Sequence, residues 1–289
     1  TEQKTDVLVR EYGSVSVDDQ LLKNVSGRVH VFPGVTVHDD PQIVLYDYLH
    51  GLYNNSEDDL FEHLLMESSG LDMPESLVHL FMLGHMPHHY RLGSYIVMVD
   101  AEYGLLNLDE YEVAVHQVAF ADVIVLNKVD LAEEASIQEL EKRIHSINAM
   151  APIYRASYGQ APLKAVMDIQ LYDQLKNLKP EERTADVNEI QTTVLSESRP
   201  MDKEMVNAWI ADLFEESGPK ILRSKGFFSF ARENWRYEFQ GVRKSFHSKA
   251  DRLWKEGEER KSTVVLIGEC LPEREALQKS FSACVKINN

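Results

Sequence analysis

The chain has 289 residues, enough for two domains or one large one. Hydrophobic residues make up 44% and charged residues 27%, a globular balance that excludes a disordered, collagen-like or coiled-coil chain. The net charge of −17 repels phosphate backbones and argues against nucleic acid as a partner.

Two cysteines, Cys270 and Cys284, exclude a disulfide framework and fit a reducing, cytoplasmic compartment. The longest apolar runs, such as Tyr95 to Val99 and Val123 to Leu126, are too short to span a bilayer, so no membrane partner is expected. The start shows no charged-then-apolar leader, so no secretory signal is expected either.

In chain order, Val7-Leu8-Val9 is the first strand candidate. Leu60 to Met66 reads as a strand that runs into the loop Glu67-Ser68-Ser69-Gly70. Tyr95 to Val99 and Val123 to Leu126 read as buried strands. Ile137, Leu140, Ile144 and Ile147 then recur at helical spacing. That helix closes before Pro152, and Ile153-Tyr154 opens another strand. Strands alternating with helices imply a parallel sheet with helices on its faces.

The last ninety residues differ. Val206, Trp209, Ile210 and Leu213 mark one helix, and Leu277, Phe281 and Cys284 mark another. Between them lie strand-like runs at Gly226 to Phe230, Tyr237 to Phe246 and Ser262 to Gly268. This order predicts an α+β domain with a mostly antiparallel sheet. Trp209, Trp235 and Trp254 read as packing residues, and Phe227, Phe228 and Phe230 as core strand.

Charge divides the chain in the same way. Residues 1–199 hold 14 Lys+Arg against 33 Asp+Glu, a net of −19; residues 200–289 hold 16 against 14, a net of +2. The polar run around Pro180, Glu181, Glu182 and Arg183 reads as a linker, with the joint between Lys179 and Pro200. The predicted domains are 1–185 and 190–289.

The strongest chemical signal is Asn127-Lys128-Val129-Asp130, directly after the apolar run Val123 to Leu126. A loop there sits at a strand's C-terminal end, the edge at which open α/β sheets bind ligands. Asp130 suits guanine, whose ring N–H and exocyclic amine offer a carboxylate two donors. Adenine offers no such pair and would leave a buried carboxylate unpaired. Asn127 can reach the other edge of the base, and the Lys128 stem can cover its face.

A second, weaker signal is Glu67-Ser68-Ser69-Gly70. A carboxylate ending a strand before small residues suits a magnesium-linked acid and a mobile loop. Gly70 could offer its N–H to a terminal phosphate, although a helix cap before Pro74 would use the same residue types. Among the histidines, His38 stands beside Asp39 and Asp40, and His85, His88 and His89 cluster. Imidazole with carboxylate suits Zn²⁺. Pro87 marks a loop and no ligand spacing recurs, so a polar surface loop is preferred and no metal ligand is assigned.

Four stretches together resemble the CobW family of P-loop GTPases and metal chaperones. Glu11 to Leu21 is similar to its "NEFGEVSVDDQL" segment, and Glu67 to Pro74 to its "ETTGLADP" switch. Gln117 to Leu131 is similar to "QIAFADRILLNKTDL", and Ile147 to Tyr154 to "INARAPVY". Lys225 to Phe228, Phe239 to Val242 and Ser262 to Gly268 resemble the family's C-terminal domain. The resemblance implies a P-loop-NTPase-like, mostly parallel sheet with helices on both faces, then a smaller α+β domain. It implies GTP or GDP bound through Asn127, Lys128, Asp130 and Gly70, and Mg²⁺ reached through water by a catalytic Glu67. The implied partner is a client metalloprotein, with Zn²⁺ as a further candidate.

Three departures stand against that pattern. No G-x-x-x-x-G-K-[ST] occurs, although that loop's amides, Lys and hydroxyl would hold the phosphates and Mg²⁺. The family's C-x-C-C motif has no counterpart between Lys23 and Leu60, where Phe32 to Asp40 stands instead. The family's Asn before the Glu-aromatic-Gly triplet is Arg10, and the acid after it is Ser14. A sequence that begins part-way through the domain and a chain that naturally lacks the loop both stay open. Without its central strand, the sheet should expose two strand edges and an apolar face. The expected function is therefore a CobW-like guanine-nucleotide protein in which hydrolysis is doubtful. The alternative is a non-catalytic relative acting as a protein-binding module.

Overall fold

A computed structural model describes residues 4–10, 28–32, 41–54, 61–68, 70, 72–167, 190–218 and 220–286. The chain forms two compact units, residues 1–91 and 92–289.

In the first unit, β1 (Thr5–Arg10) lies between β2 (Val29–Phe32) and β3 (His63–Glu67), all parallel. Leu8 and Val9 are buried, as the apolar reading of Val7 to Val9 requires. Asp6 is also fully buried and holds the start of β2. Its carboxylate accepts from the Arg28 backbone N–H at 3.2 Å and Arg28 Nε at 3.0 Å, and lies 3.0 Å from His30 Nε2. Helix α1 (Pro41–Asn54) buries Leu45 and Leu49. Helix α2 (Pro74–Leu80) opens on Pro74, whose missing N–H costs nothing in a first turn, and buries Leu77, Val78 and Leu80.

The one-turn helix α3 (Met86–His89) is clamped to α1. The Tyr90 hydroxyl donates to the Leu49 carbonyl at 2.8 Å, and the His85 amide donates to the Tyr46 hydroxyl at 3.2 Å. Gly84 is required at this clamp. Its φ is +51°, and a Cβ there would stand 2.6 Å from the Tyr46 oxygen. The expected polar loop at His85–His89 is thus a helical turn packed on its neighbour.

The second unit contains a parallel sheet of order β4 (Ile96–Asp100), β5 (Val123–Asn127), β6 (Ile153–Arg155). Val123 to Leu126 are all buried. At about 1.5–3 kcal/mol for each large apolar side chain, β5 is the anchor of this layer. Helices α4 (Gly104–Glu110) and α5 (Glu112–Phe120) connect β4 to β5, and α6 (Glu134–Ile147) connects β5 to β6. Ile137, Leu140, Ile144 and Ile147 all face inward, as their spacing predicts. Asn148, in the stretch that resembles "INARAPVY", closes two helix ends at once. Its Nδ2 donates to the carbonyls of Val118 (2.8 Å) and Ala121 (2.9 Å), and its Oδ1 accepts from the amides of Met150 and Ala151. A short helix α7 (Leu163–Met167) follows β6.

Each of these parallel sheets has open edges among the described residues. β3 and β4 each end their sheet, and Leu65 in β3 and Met98 in β4 are exposed.

The C-terminal sheet has five antiparallel strands in the order β10-β9-β8-β11-β7. They are β7 (Ile190–Glu197), β8 (Ile221–Ser229), β9 (Trp235–Val242), β10 (Ser245–Leu253) and β11 (Ser262–Glu269). Helices α8 (Lys203–Ser217) and α9 (Arg274–Ser282) supply Trp209, Phe214 and Phe281 to a core shared with Phe228 and Phe239. Asp202 caps α8 by accepting from the amides of Glu204 and Met205.

Four sequence expectations need correction. The segment read as linker up to Pro200 contains β7, an edge strand whose Gln191, Thr192, Thr193 and Ser196 disguise it. Residues 179–189 lie outside the described residues. The run Tyr237 to Phe246 is two strands joined at Arg243-Lys244, with Arg243 at φ 51° and no Asn-Gly signal to mark the turn. Trp209 and Trp254 are buried but Trp235 is 44% exposed, so it is not a packing residue. Cys284 lies beyond the end of α9.

The two layers of the second unit meet at a buried charge cluster. Asp122, just before β5, accepts from Arg223 Nη2 at 2.8 Å, from Lys225 Nζ, and from the Tyr95 amide at 2.8 Å. Arg223 and Lys225, two apart on β8, share one face. All three side chains are buried. A cavity of about 10 Å³ beside them, bordered by Met150, Val265 and Ile267, is no larger than one water. Burial alone would raise Asp122; the cations Arg223 and Lys225 outweigh it and hold its pKa down to about 2. One carboxylate serves two cations, so burial and the neighbouring Arg223 pull Lys225 down to about 8.

Asp122→Asn leaves those cations facing each other. It should destabilise the fold by about 3–5 kcal/mol at pH 7, read from urea unfolding. Because Asp122 is depressed in the folded state, its contribution is present above its ordinary value of 3.8. The gap between parent and variant should close only as the pH falls from 3.8 toward about 2. A gap below about 1 kcal/mol at pH 7 would show that the cluster contributes little.

Candidate functional site

The loop after β5 is held by three neighbours. Asn127 is the last residue of β5 and pairs in register with Asp100, the last residue of β4. Its carbonyl accepts from the Ala101 amide at 2.8 Å, and its side-chain Oδ1 accepts from the Gly159 amide at 2.9 Å. The Val129 amide donates to the Ala156 carbonyl at 3.2 Å. The chain reverses at Lys128, which adopts the left-handed region at φ 61°, ψ 33°. Val129–Leu131 then form a 3₁₀ turn that presents Asp130 to solvent.

Lys128 Nζ lies 2.7 Å from Asp100 Oδ2. Asp100 Oδ1 also accepts from the amides of Glu102 (2.8 Å) and Tyr103 (3.2 Å). Burial would raise the Asp100 carboxyl, but the Lys128 hydrogen bond and those two amides bring it below its ordinary value. The same hydrogen bond to Asp100 raises Lys128. The ammonium is exposed, so the pair adds little stability; it fixes the direction of the lysine stem.

Opposite this loop, β6 leads into Ala156-Ser157-Tyr158-Gly159. Tyr158 (φ 53°) and Gly159 (φ 71°) both lie in the left-handed region, and Tyr158 is 85% exposed. The site therefore has an exposed carboxylate at Asp130, an anchored aliphatic stem at Lys128, and a projecting aromatic ring at Tyr158. This donor and acceptor set fits a flat heterocycle with adjacent N–H donors.

Sequence reasoning proposed Asn127, Lys128 and Asp130 on this loop; it did not point to their neighbours Asp100 and the Ala156–Gly159 loop. The available signal was positional: Asp100 ends, and Ala156 follows, a strand parallel to β5, at the same sheet edge. Glu67 and Gly70 belong to the other unit. Glu67 is the exposed last residue of β3, paired with Val9, and Gly70 is exposed with open space around its Cα. Ser69 and Leu71 of the same stretch lie outside the described residues, as do Glu11 to Leu21, and Pro33 to Asp40 of the interval that replaces the cysteine motif. His38 with Asp39 and Asp40 therefore also lies outside them. Among the described residues, no three His, Cys, Asp or Glu side chains already stand ready for a metal ion.

Comparison with known proteins gives the same order of parts. Residues 1–155 match the family described as "CobW/HypB/UreG, nucleotide-binding domain", and residues 190–285 match "Cobalamin synthesis protein cobW C-terminal domain". The chain belongs to the CobW family. It is 32% identical over 281 residues to the zinc chaperone YjiA of Escherichia coli, covering 94% of this chain and 87% of that protein. It is 25% identical over 305 residues to the zinc chaperone CobW of Pseudomonas aeruginosa, covering 92% and 80%. The crystal structure of Zn(II)-bound YjiA GTPase superposes with a TM-score of 0.71 at 28% identity, covering 99% of this chain and 91% of that one. The CobW-type parallel sheets with helices, followed by an antiparallel C-terminal sheet, are therefore the family's fold.

The hydrogen bond from Gly159 to Asn127 joins the two loops directly. Asn127→Ala should speed amide exchange at Gly159 about tenfold and leave exchange in β8 unchanged. Unchanged exchange at Gly159 would mean that Asn127 does not hold that loop.

Proposed function

We propose that this chain is a CobW-type metal-handling protein that binds guanine nucleotide through Asn127, Lys128 and Asp130 and serves a client metalloprotein. The observation that carries the reading is the Asn127–Asp130 turn at the end of β5, braced by Asp100 on one side and Gly159 on the other. Asp130 would accept from the ring N–H and the exocyclic amine of the base. The Lys128 stem, drawn toward Asp100, would lie along one face of the ring. The Asn127 oxygen is engaged by Gly159, so its amide nitrogen is the atom that could reach the base.

The relatives support the metal-handling half of the proposal, since YjiA and the Pseudomonas protein are named zinc chaperones. The working division is a nucleotide-binding domain over 1–185 and a CobW C-terminal domain over 190–289. At the phosphate end, Gly70 would offer an amide, and Glu67 would act on Mg²⁺ through water. The sequence contains no G-x-x-x-x-G-K-[ST], so these 289 residues lack the Lys and hydroxyl that neutralise a transferred phosphoryl group. With base contacts at one end, guanosine, GDP and GTP should bind almost equally and respond little to Mg²⁺.

Two measurements test this. Asp130→Asn exchanges an acceptor for a donor, so preference should move from guanine toward xanthine nucleotides, read by competition binding. Equal weak binding of both bases by parent and variant would remove the base site. In a GTPase assay the 289-residue chain should show background turnover, unchanged by Glu67→Ala. Turnover well above background that Glu67→Ala abolishes would reveal a phosphate site built from other residues.

A further inference from the structure

Eight of the eleven histidines lie in the first 91 residues, and three of them meet at one place. His85 and His89 are four apart across the helical turn α3, the spacing that sets two imidazoles on one helix face. His50, on the neighbouring helix α1, faces both. Its ring centroid is 5.5 Å from that of His89 and 6.4 Å from that of His85, and the His85–His89 separation is 6.5 Å. Sequence order hides this group, because His50 comes 35 positions before His85.

We infer that His50, His85 and His89 form a cation site of the imidazole-preferring class that Zn²⁺ represents, separate from the nucleotide-binding turn. With Zn–N bonds of about 2.0–2.1 Å, three coordinated imidazoles place their centroids roughly 5 Å apart. The His50–His89 pair is already close to that spacing. As their side chains stand, the three are too far apart to share an ion, and closure requires His85 to approach the other two by about 1 Å. His85 is exposed, so its side chain can turn without disturbing the core. The backbones are already fixed by the clamps of Tyr90 on Leu49 and of His85 on Tyr46.

A hydrogen-bond partner and the local charge favour a cation at these rings. Asn54 Nδ2 lies 3.0 Å from His50 Nδ1, and an amide flip would let Asn54 accept from Nδ1–H, leaving Nε2 for the metal. Residues 1–91 carry 5 Lys+Arg against 15 Asp+Glu, a net of −10 that attracts a divalent cation. Three protein ligands leave the fourth tetrahedral position to water.

The test uses the 289-residue chain without nucleotide and Zn²⁺ alone, in competition with a chromogenic chelator. One equivalent should bind. His50→Ala, His85→Ala and His89→Ala should each weaken it at least tenfold, and Asn54→Ala about tenfold, whereas the exposed-strand control His247→Ala should change nothing. Histidine ring nitrogens of the ¹⁵N-labelled parent supply a readout that no folding defect can mimic: Zn²⁺ should shift those of His50, His85 and His89. Co²⁺ should bind without a thiolate charge-transfer band, which removes Cys270 and Cys284 as ligands. Unshifted resonances, a thiolate band, or equal affinity in parent and ring variants would each overturn the site.

Discussion

A carboxylate without water must be matched by cations, and Asp122 is matched by two that lie more than a hundred residues away. Removing an ion from water costs several kcal/mol, so the cluster holds only where geometry is good and each oxygen is used. Here Oδ2 accepts from Arg223 and the Tyr95 amide, and Oδ1 accepts from Lys225. The consequence is positional. Strand β5 is gripped at its start by β8 of the C-terminal sheet and at its end by Asp100 and Gly159. A displacement of β8 is therefore felt by the strand that carries the Asn127–Asp130 turn. Asn148 ties the ends of α5 and α6 to each other, and the Thr192 hydroxyl of β7, which donates to the Ile147 carbonyl at 3.0 Å, ties the end of α6 to the second layer.

This arrangement gives a physical meaning to two stretches that resemble the family. Asp122 and Asn148 each satisfy buried backbone or charge where elements converge. Asn127 builds the loop in the same way, its oxygen accepting from the Gly159 amide. The turn after β5 is thus well braced, while the sequence contains no G-x-x-x-x-G-K-[ST].

Much of this was legible beforehand. Apolar runs at Val7 to Val9 and Val123 to Leu126 predict buried parallel strands, and the four apolar positions of α6 all turn inward. The turn at Asn127–Asp130 was found because it follows such a run. What escaped has three physical causes. Edge strand β7 buries one side of a polar alternation, so composition reads it as linker. The β9–β10 hairpin turns at Arg243-Lys244, residues that carry no turn signal. The pairings of Asp122 with Arg223, Asp100 with Lys128 and His50 with His89 are tertiary, and no local pattern contains both partners.

The central claim is that the Asp122 cluster makes β5 and β8 one cooperative structure. Native-state hydrogen exchange of the full chain in rising urea measures this directly. Amides of Val123–Asn127 and of Ile221–Ser229 should open with the same free energy and the same urea dependence. If β5 opens at low urea while β8 stays protected, the two layers are independent and the account is wrong.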